Sequence, residues 1–236
     1  MDRLRRLPDR GQTADGGGDR PAGVPGDGDF RGKESLGLLM QADIVCTNPP
    51  FSLFREFVAA MMKHGKKFLI LGNINAVICR DMFPLIKEGR MWLGASIHSG
   101  GRRFRVPDSY PIDTTEAAVG QDGVKYIRVK GVRWFTNMDH PGKHVPLKLE
   151  KTYSPAAYPR YDGYDAINVD KVEDMPKDYE GEMGVPITFL DKHDPDQFEI
   201  IGLDRYVMGP GTHSDRLFTV NGRLLYRRIV VRRKKP

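Results

Sequence analysis

Cysteine is scarce in this sequence, and long hydrophobic runs are absent. The two cysteines among 236 residues, Cys46 and Cys79, lie within apolar stretches and lack the paired spacing of metal ligands. We therefore expect both to be core residues in a reducing compartment. No stretch approaches the about 18 apolar residues of a membrane span, and no apolar segment of a signal peptide follows the charged N-terminus. A cytoplasmic protein without a membrane partner is the expectation.

Acidic residues are fewer than basic ones: 31 Asp and Glu stand against 37 Lys and Arg, which gives a net charge of +6 and a pI of about 9.3. Such a balance favours a polyanionic partner such as nucleic acid. The six histidines are scattered, so we predict that none is a metal ligand and that the protein holds no metal. The hydrophobic content of 39% is enough for a core, and we expect a monomer.

The N-terminal segment, residues 1–28, has almost no apolar residue from Gly11 onward and is rich in Gly, Pro, Asp and Arg. Such a segment buries too little surface to offset the entropy that ordering would remove, so we predict that it is disordered. Two further regions are expected: an α/β domain at residues 29–145, and a loop-rich region with a C-terminal β-hairpin at residues 146–236.

The hydrophobic pattern between residues 33 and 93 alternates between helix and strand. Buried strands are predicted at residues 42–47, 67–72 and 91–93, and helices at residues 33–41, 53–64 and 81–88. Ser52 is the expected N-cap of the second helix. Elements that alternate in this way through short connections favour an α/β fold, with parallel strands in one sheet and helices on both of its faces.

Beyond residue 94 the pattern becomes irregular. Residues 100–103 read as a polar loop, and residues 126–136 read as one strand that a bulge at Gly131 interrupts. Residues 153–177 are dense in Tyr, Pro and Asp and read as a long irregular connection. We therefore expect a mixed, loop-rich β region in the second half of the chain.

The first strand stops at Asn48-Pro49-Pro50-Phe51, because two successive prolines cannot continue a β-ladder. This tetrapeptide is expected at the carboxyl edge of the sheet, where open α/β sheets bind their ligands. The Asn48 side-chain oxygen and the Pro49 carbonyl are two acceptors on a rigid backbone, and Phe51 offers a ring for stacking. Two acceptors suit an exocyclic amine on a base that has left its duplex. A rigid turn without chemistry is the competing interpretation.

Asn-Pro-Pro-Phe after a strand resembles the signature of amino-methyltransferases that use S-adenosylmethionine. The longer strings ADIVCTNPPFSLFREFV, KKFLILGNINA and MFPLIKEGRMWLG are similar to the EcoRI-type adenine-specific DNA methyltransferases. The resemblance implies S-adenosylmethionine as cofactor, double-stranded DNA as partner and a role in restriction-modification. It also implies that residues 29–145 form part of a Rossmann-like catalytic domain and that residues 146–236 recognise the DNA target.

The same resemblance assigns roles to individual residues. Asn48, Pro49, Pro50 and Phe51 would bind the target adenine as the catalytic set. The upstream pair Asp29-Phe30 would bind the cofactor, with Asp29 accepting a hydrogen bond from its adenine amino group and Phe30 packing on its ring.

One departure from the family pattern concerns the cofactor half. Such enzymes carry a Gly-rich loop and an acidic ribose contact before the Asp-Phe pair, and a βαβ unit needs about 30 residues. Only the strandless residues 1–28 stand there, so we expect an N-terminally truncated chain. Two alternatives remain: an inactive remnant that binds DNA without methyl transfer, and a related methyltransferase that acts on an amine of RNA or protein.

Further candidates lie outside the tetrapeptide. Asn73 and Asn75 follow the second strand and are candidates to line the same pocket, although turn residues are the commoner interpretation. Arg102 and Arg103, with Arg105, are candidates for phosphate contacts, against the alternative of a solvated loop.

The C-terminus is predicted to form a basic hairpin. Strands at residues 217–220 and 224–231 flank Asn221-Gly222, which is the preferred two-residue turn. Its arginines are candidates for contacts with the DNA backbone, against the alternative of solubilising edge charges. They are Arg227, Arg228, Arg232 and Arg233.

Overall fold

The computed structural model describes residues 29–98, 100–110, 117–207 and 218–235, so the segment predicted to be disordered, residues 1–28, lies outside the described residues. Within them, no helix is long and apolar enough to cross a membrane. The helices are α1 (Lys33–Gln41), α2 (Phe54–Lys63), α3 (Phe83–Lys87) and α4 (Asp204–Val207). The strands are β1 (Ile44–Thr47), β2 (Lys67–Asn73), β3 (Trp92–Leu93), β4 (Gly101–Arg105), β5 (Ala117–Val119), β6 (Lys125–Lys130), β7 (Val132–Thr136), β8 (Arg160–Tyr161), β9 (Tyr164–Asn168), β10 (Glu182–Pro186), β11 (Phe198–Leu203), β12 (Thr219–Val220), β13 (Arg223–Leu224) and β14 (Arg228–Arg233).

The described chain divides into two compact units. The first unit comprises the described residues up to Ala76 together with Ser96–Met138. The second unit comprises Val77–Ala95 together with the described residues from Asp139 onward. Each unit has strands of its own, and the domain bounds proposed from the sequence stay a prediction.

The main sheet of the first unit is mixed. Strand β1 runs parallel to β2, with Ile44 opposite Lys67 and Thr47 opposite Ile70. Strand β7 runs antiparallel to β2, with Asn73 opposite Val132. The α/β fold class is thus confirmed, and β1 and β2 are parallel as expected. The sheet is mixed because β7, a strand of the region predicted to be irregular, joins it antiparallel to β2.

Helix α2 packs its apolar side against this sheet. Phe54, Phe57, Val58 and Met61 are buried at helical spacing, as the sequence pattern predicted. Gly72 of β2 makes the close approach possible, because a Cβ at this position would lie 2.4 Å from the Phe54 ring. The buried Phe54 ring also packs edge-on against Phe135, with centroids 4.9 Å apart. This packing fixes the start of α2, and the tetrapeptide ends immediately before it.

A second sheet of the first unit has the order β4-β6-β5, and both pairings are antiparallel. It corrects two predictions. Residues 100–103 are not a polar loop, because residues 101–105 form β4. Residues 126–136 are not one bulged strand, because β6 and β7 belong to different sheets and join at Gly131, whose φ of 72° turns the chain.

The second unit contains a five-stranded sheet of order β11-β14-β10-β9-β8. Strands β9 and β10 are parallel, and the other neighbours are antiparallel. Residues 153–177, predicted to be an irregular connection, contain β8 and β9, which turn at Asp162-Gly163. The sequence pattern did not predict these strands, because Tyr, Pro and Asp are frequent in this segment and β8 has only two residues.

The predicted hairpin turn is confirmed, whereas its second strand is shorter than expected. Asn221 and Gly222 have φ angles of 52° and 75°, as a two-residue hairpin turn of this kind requires, and β12 pairs with β13. The chain then leaves the hairpin, and β14 pairs with β10 and β11 instead. Arg228, Arg232 and Arg233 therefore belong to a central strand of the sheet, and Arg227 immediately precedes it.

Candidate functional site

The tetrapeptide Asn48-Pro49-Pro50-Phe51 follows the last residue of β1. Because β1 and β2 are parallel, their carboxyl ends lie at the same edge of the sheet. Asn48 is half-buried, Pro49 is buried and Pro50 is exposed. The Phe51 side chain is 36% exposed, so its ring is accessible at this edge.

Two acceptors of the tetrapeptide have no donor among the described residues. The side-chain oxygen of Asn48, Oδ1, is buried and has no hydrogen-bond partner there. The Pro49 carbonyl likewise receives no backbone N–H within the described chain. The Pro50 carbonyl is different, because the Leu53 N–H donates to it at 2.9 Å. A buried polar atom without a partner costs about 1–3 kcal/mol, so Asn48 is held in an arrangement that folding alone does not favour.

A short 3-10 turn, Phe51–Leu53, connects the tetrapeptide to α2. The N-cap of α2 is Leu53, so the prediction of Ser52 at this position is wrong. The turn closes between the Pro50 carbonyl and the Leu53 N–H, and the two proline φ angles are fixed by their rings. The backbone that carries the Asn48 and Pro49 acceptors is therefore rigid.

The upstream pair Asp29-Phe30 lies next to α2. The Phe30 ring packs edge-on against Phe57 of that helix, with centroids 5.1 Å apart. The Asp29 carboxylate accepts from the Arg31 backbone N–H at 2.9 Å and from the Arg31 guanidinium at 2.7 Å. Arg31 also donates to Glu56 of α2 at 3.1 Å. These contacts connect the predicted cofactor residues to the helix that follows the tetrapeptide.

Asn73, the last residue of β2, hydrogen-bonds the backbone through its side chain, and one of its partners is the backbone of Asn75. Asn73 donates from its side chain to the Lys130 carbonyl at 3.0 Å, and its side-chain oxygen accepts from the Asn75 N–H at 3.0 Å. The Ile74 N–H donates to the Gly131 carbonyl at 2.7 Å. Asn73 therefore anchors the junction of β6 and β7 at the carboxyl end of β2.

The three arginines of β4 do not share one face of their sheet. Side chains alternate along a strand, so Arg103 and Arg105 point to one side and Arg102 points to the other. Arg103 and Arg105 are exposed, whereas Arg102 is half-buried. Arg103 lies over the Tyr126 ring at 4.9 Å from its centroid.

The C-terminal arginines are engaged within the second unit. Arg228 is 7% exposed and donates to Asn168, Asp170 and the Tyr226 carbonyl at 3.2–3.3 Å. Buried Asp204 lies 3.7 Å from Arg227. Arg232 pairs with Glu182 at 2.5 Å, and Arg233 donates to the Lys177 carbonyl. Their DNA contacts stay a prediction, and for Arg228 such a contact would require buried hydrogen bonds to break.

One group of metal-ligand types occurs among the described residues, comprising His144, Asp194 and Asp196 with ligand atoms within 4.8 Å of one another. His140 and His144 also stand four residues apart, with His140 just before a 3-10 turn and His144 as its last residue. Asp139 hydrogen-bonds His144 at 2.8 Å and raises its pKa, so the imidazole is already paired with a carboxylate. The expectation that the protein holds no metal stays a prediction.

Sequence reasoning overlooked three residues beside Arg103, namely Tyr126, Arg128 and Lys130. All three lie at alternate positions of β6, so the alternation of KYIRVK was the signal that places them on one face.

Comparison with known proteins gives consistent matches. The profile of a family described as "Adenine-specific methyltransferase EcoRI" matches residues 19–234. The chain is 44% identical over 212 residues to the Escherichia coli protein "Type II methyltransferase M.EcoRI", which covers 89% of the chain and 63% of that relative. It is 36% identical over 229 residues to "Type II methyltransferase M.MpnI" of Mycoplasma pneumoniae, with 90% and 70% covered. The chain therefore spans less than two thirds of the length of the Escherichia coli relative. No solved structure matches the chain significantly.

Proposed function

The chain belongs to the EcoRI family of adenine-specific methyltransferases, and from this premise we propose that it is an S-adenosylmethionine-dependent DNA adenine N6-methyltransferase of a restriction-modification system. Its target adenine leaves the duplex and binds at Asn48-Pro49-Pro50-Phe51. DNA as the substrate implies that the protein works in the cytoplasm.

The chemical task of the site is to make a poor nucleophile reactive. The lone pair of the adenine N6 amine is delocalised into the ring, and two acceptors that hold both amine hydrogens make the nitrogen more tetrahedral, so that its lone pair points at the methyl donor. S-adenosylmethionine, when bound, supplies an electrophilic methyl group. The amine nitrogen would bond to this methyl carbon as the carbon–sulfur bond breaks, which would leave S-adenosylhomocysteine, and one amine proton would pass to solvent. Because positioning and fixed dipoles supply the rate, no general base is required.

The observation that carries the proposal is the pair of uncommitted acceptors after β1. The Asn48 oxygen and the Pro49 carbonyl accept no hydrogen bond within the described chain, whereas the Pro50 carbonyl is already used by the turn. The two hydrogens of the adenine amine match these two acceptors in number, and the accessible Phe51 ring supports stacking of the base.

Asp29 and Phe30 can bind the adenine of the cofactor if the Arg31 guanidinium moves off the Asp29 carboxylate. A carboxylate has about four acceptor positions. Arg31 occupies both oxygens of Asp29, through its backbone N–H and its guanidinium, so the cofactor's amino group competes with Arg31 there. Arg31 is about half exposed and already contacts Glu56, which gives it a second acidic partner when it leaves Asp29. The Phe30 ring, held by Phe57, is the stacking surface for the cofactor adenine.

We further propose that β1, α2 and β2 belong to a Rossmann-like sheet. Its support is local: two parallel strands connected by one helix, with the candidate site at their carboxyl edge.

A methyl-transfer assay tests the proposed function. The chain is incubated with S-adenosylmethionine and genomic DNA that lacks N6-methyladenine, and the product base is measured by mass spectrometry, which needs no knowledge of the recognition sequence. We expect N6-methyladenine to form and Asn48→Ala to reduce its rate on the order of 100-fold. Asn48→Asp keeps an acceptor oxygen and retains more activity.

Ser52→Ala is the matched control, because Ser52 is exposed in the adjacent turn and its loss should leave the rate unchanged. Transfer that Asn48→Ala does not affect would contradict the assignment. DNA binding without any transfer would favour an inactive remnant. Methylation of RNA or protein in place of DNA would favour a related amine methyltransferase.

A further inference from the structure

The sheet β4-β6-β5 of the first unit has two unlike faces. In an antiparallel pair, residues directly opposite each other lie on the same face. The register places Arg103 opposite Arg128 and Arg105 opposite Tyr126, and Lys130 at the end of β6 is opposite Gly101. One face therefore carries four cations and one aromatic ring. We call it the basic face, defined by Arg103, Arg105, Tyr126, Arg128 and Lys130.

The opposite face carries apolar side chains together with Arg102 and Lys125. Phe104 lies opposite Ile127, and Arg102 lies opposite Val129. These side chains are half-buried, whereas the four cations of the basic face are exposed. The four cations of the basic face thus point toward solvent, and Arg102 lies on the other face of the sheet.

The basic face concentrates positive charge, with the Asp122 carboxylate beside Tyr126 as a nearby opposite charge for Arg103. Like charges directly opposite each other destabilise a β-pair, and Arg103 and Arg128 are such a pair. Among the described residues, no carboxylate forms an ion pair with Arg103, Arg105 or Arg128. A fold that keeps these arginines close together and unpaired gains stability from a polyanion.

The basic face is also concave. Arg103, Tyr126, Arg128 and Lys130 line a cleft of about 480 Å³ together with the small residues of β5. The Arg128 side chain lies over Gly101, where a Cβ would come within 2.6 Å of it. Arg103 is held over the Tyr126 ring, and Tyr126 donates to Asp122 at 2.8 Å. Two of the cations are thus positioned by their neighbours.

The sheet joins the main sheet at the edge where the tetrapeptide lies. Strand β6 ends at Lys130, and its carbonyl accepts from Asn73, the last residue of β2. The carboxyl end of β2 is also the edge at which β1 leads into Asn48, because the two strands are parallel. A duplex bound on the basic face would therefore pass close to the two acceptors that bind the target base.

We propose that the basic face binds the sugar-phosphate backbone of duplex DNA beside the target adenine. The five residues of β4 extend about 14 Å, which corresponds to the rise of about four base pairs along the duplex axis. Arginine suits this contact, because its planar guanidinium donates to two phosphate oxygens at once. The inference rests on the proposed function, since it takes the substrate to be DNA.

The test measures duplex binding without methyl transfer. Fluorescence anisotropy of a labelled DNA duplex is recorded for the full chain over a range of salt concentrations. Each phosphate contact contributes about 0.9 to the slope of log K against log salt, so the double variant Arg103→Ala/Arg128→Ala should have a slope shallower by about 2. Between about 50 and 200 mM salt it should lose about tenfold less affinity than the native chain.

Two variants serve as controls. Arg102→Ala removes an arginine of the same strand from the opposite face and should keep the native slope. The variant Arg103→Lys/Arg128→Lys preserves both charges and should also stay near the native slope. Circular dichroism checks that each variant folds. Because Arg103 and Arg128 are like charges that face each other, removing both should not lower the free energy of unfolding.

A native slope in the double alanine variant overturns the inference, and so does tighter binding to duplex RNA than to duplex DNA. The outcome is separate from that of the proposed function, because Asn48→Ala should bind DNA normally while it loses methyl transfer. If the double alanine variant binds DNA normally while Asn48→Ala still loses transfer, the proposed role of the basic face is wrong and the proposed function is unaffected.

Discussion

Two asparagines lie at the carboxyl ends of strands, Asn48 after β1 in the first unit and Asn168 at the end of β9 in the second. The side-chain oxygen of Asn168 is 2.9 Å from the Tyr161 hydroxyl and 3.3 Å from an Arg228 nitrogen, and its amide donates to Asp170 at 2.9 Å. The oxygen of Asn48 is buried without a partner in the described chain. Residue type and strand position are alike, so the difference comes from the neighbours that other parts of the chain supply.

The arginines of the two units differ in the same way. Arg228 is buried and engaged by Asn168, Asp170 and Tyr226, whereas Arg103 is exposed and rests on one aromatic ring. A satisfied buried polar group contributes to stability, and an unsatisfied or unpaired group is tolerated where a ligand completes it. Substitutions in the two units should therefore change different measurements.

The largest effect is expected for Asn168→Ala. The change leaves one Arg228 nitrogen without its acceptor inside the second unit, and it removes one of the two acceptors of the Tyr161 hydroxyl, which keeps the Gly184 carbonyl at 3.0 Å. A buried group left unsatisfied costs about 1–3 kcal/mol. We expect the free energy of unfolding to fall by about 3 kcal/mol. Urea denaturation measures this loss. An Asn168→Ala chain as stable as the native one would remove the contrast with Asn48.

A smaller loss is expected for Gly72→Ala in the first unit. The added Cβ would meet the buried rings of Phe54 and Phe135, and overpacking of a core costs about 1–3 kcal/mol. Because Phe54 begins the helix after the tetrapeptide, methyl transfer should decline together with stability.

Gly37→Ala in α1 is the matched control for this prediction. A Cβ at Gly37 meets no described atom within 4 Å, so the variant should gain up to about 1 kcal/mol of stability from helix propensity. If Gly72→Ala behaved like Gly37→Ala, the close packing of α2 on β2 would be wrong.

The smallest effect concerns pH and the second unit. Burial lowers the pKa of His193, whose ring donates to the Phe198 carbonyl at 3.1 Å. A base with a lowered pKa in the folded state contributes stability that is present above its unfolded pKa of about 6.5 and is lost as the pH falls below that value. Thermal melts between about pH 7.5 and 5.5 should show a shallower decline for His193→Gln than for the native chain. Equal declines would show that His193 is not the titrating group.

The sequence predicted the part of the fold that depends on neighbouring residues. The path from β1 through the tetrapeptide and α2 to β2 follows from an apolar run, two prolines and one helical period, all within residues 42–73. The turn at Asn221-Gly222 follows from two residues alone, because few others adopt positive φ readily.

What the sequence could not predict depends on pairing between distant segments. Strand β7 reverses along β2 because Gly131 turns the chain, and a positive φ at a glycine is not visible in a hydrophobic pattern. The C-terminal run RRIVVRR was predicted to be part of a basic hairpin, but Asp170, Glu182 and Asp204 from other parts of the chain pair with three of its arginines. The Asn48 acceptor was expected from the chemistry, and its missing partner is visible only in three dimensions.

The most direct test of the account combines stability and activity in one variant, Asn48→Ala. The account predicts that methyl transfer falls on the order of 100-fold while the free energy of unfolding stays the same or rises by up to about 1 kcal/mol, because the variant removes a buried acceptor that nothing satisfies. A structural turn residue would behave in the opposite way. A loss of stability of about 1 kcal/mol or more with transfer unchanged would contradict the central claim that Asn48 is held in place for the target base.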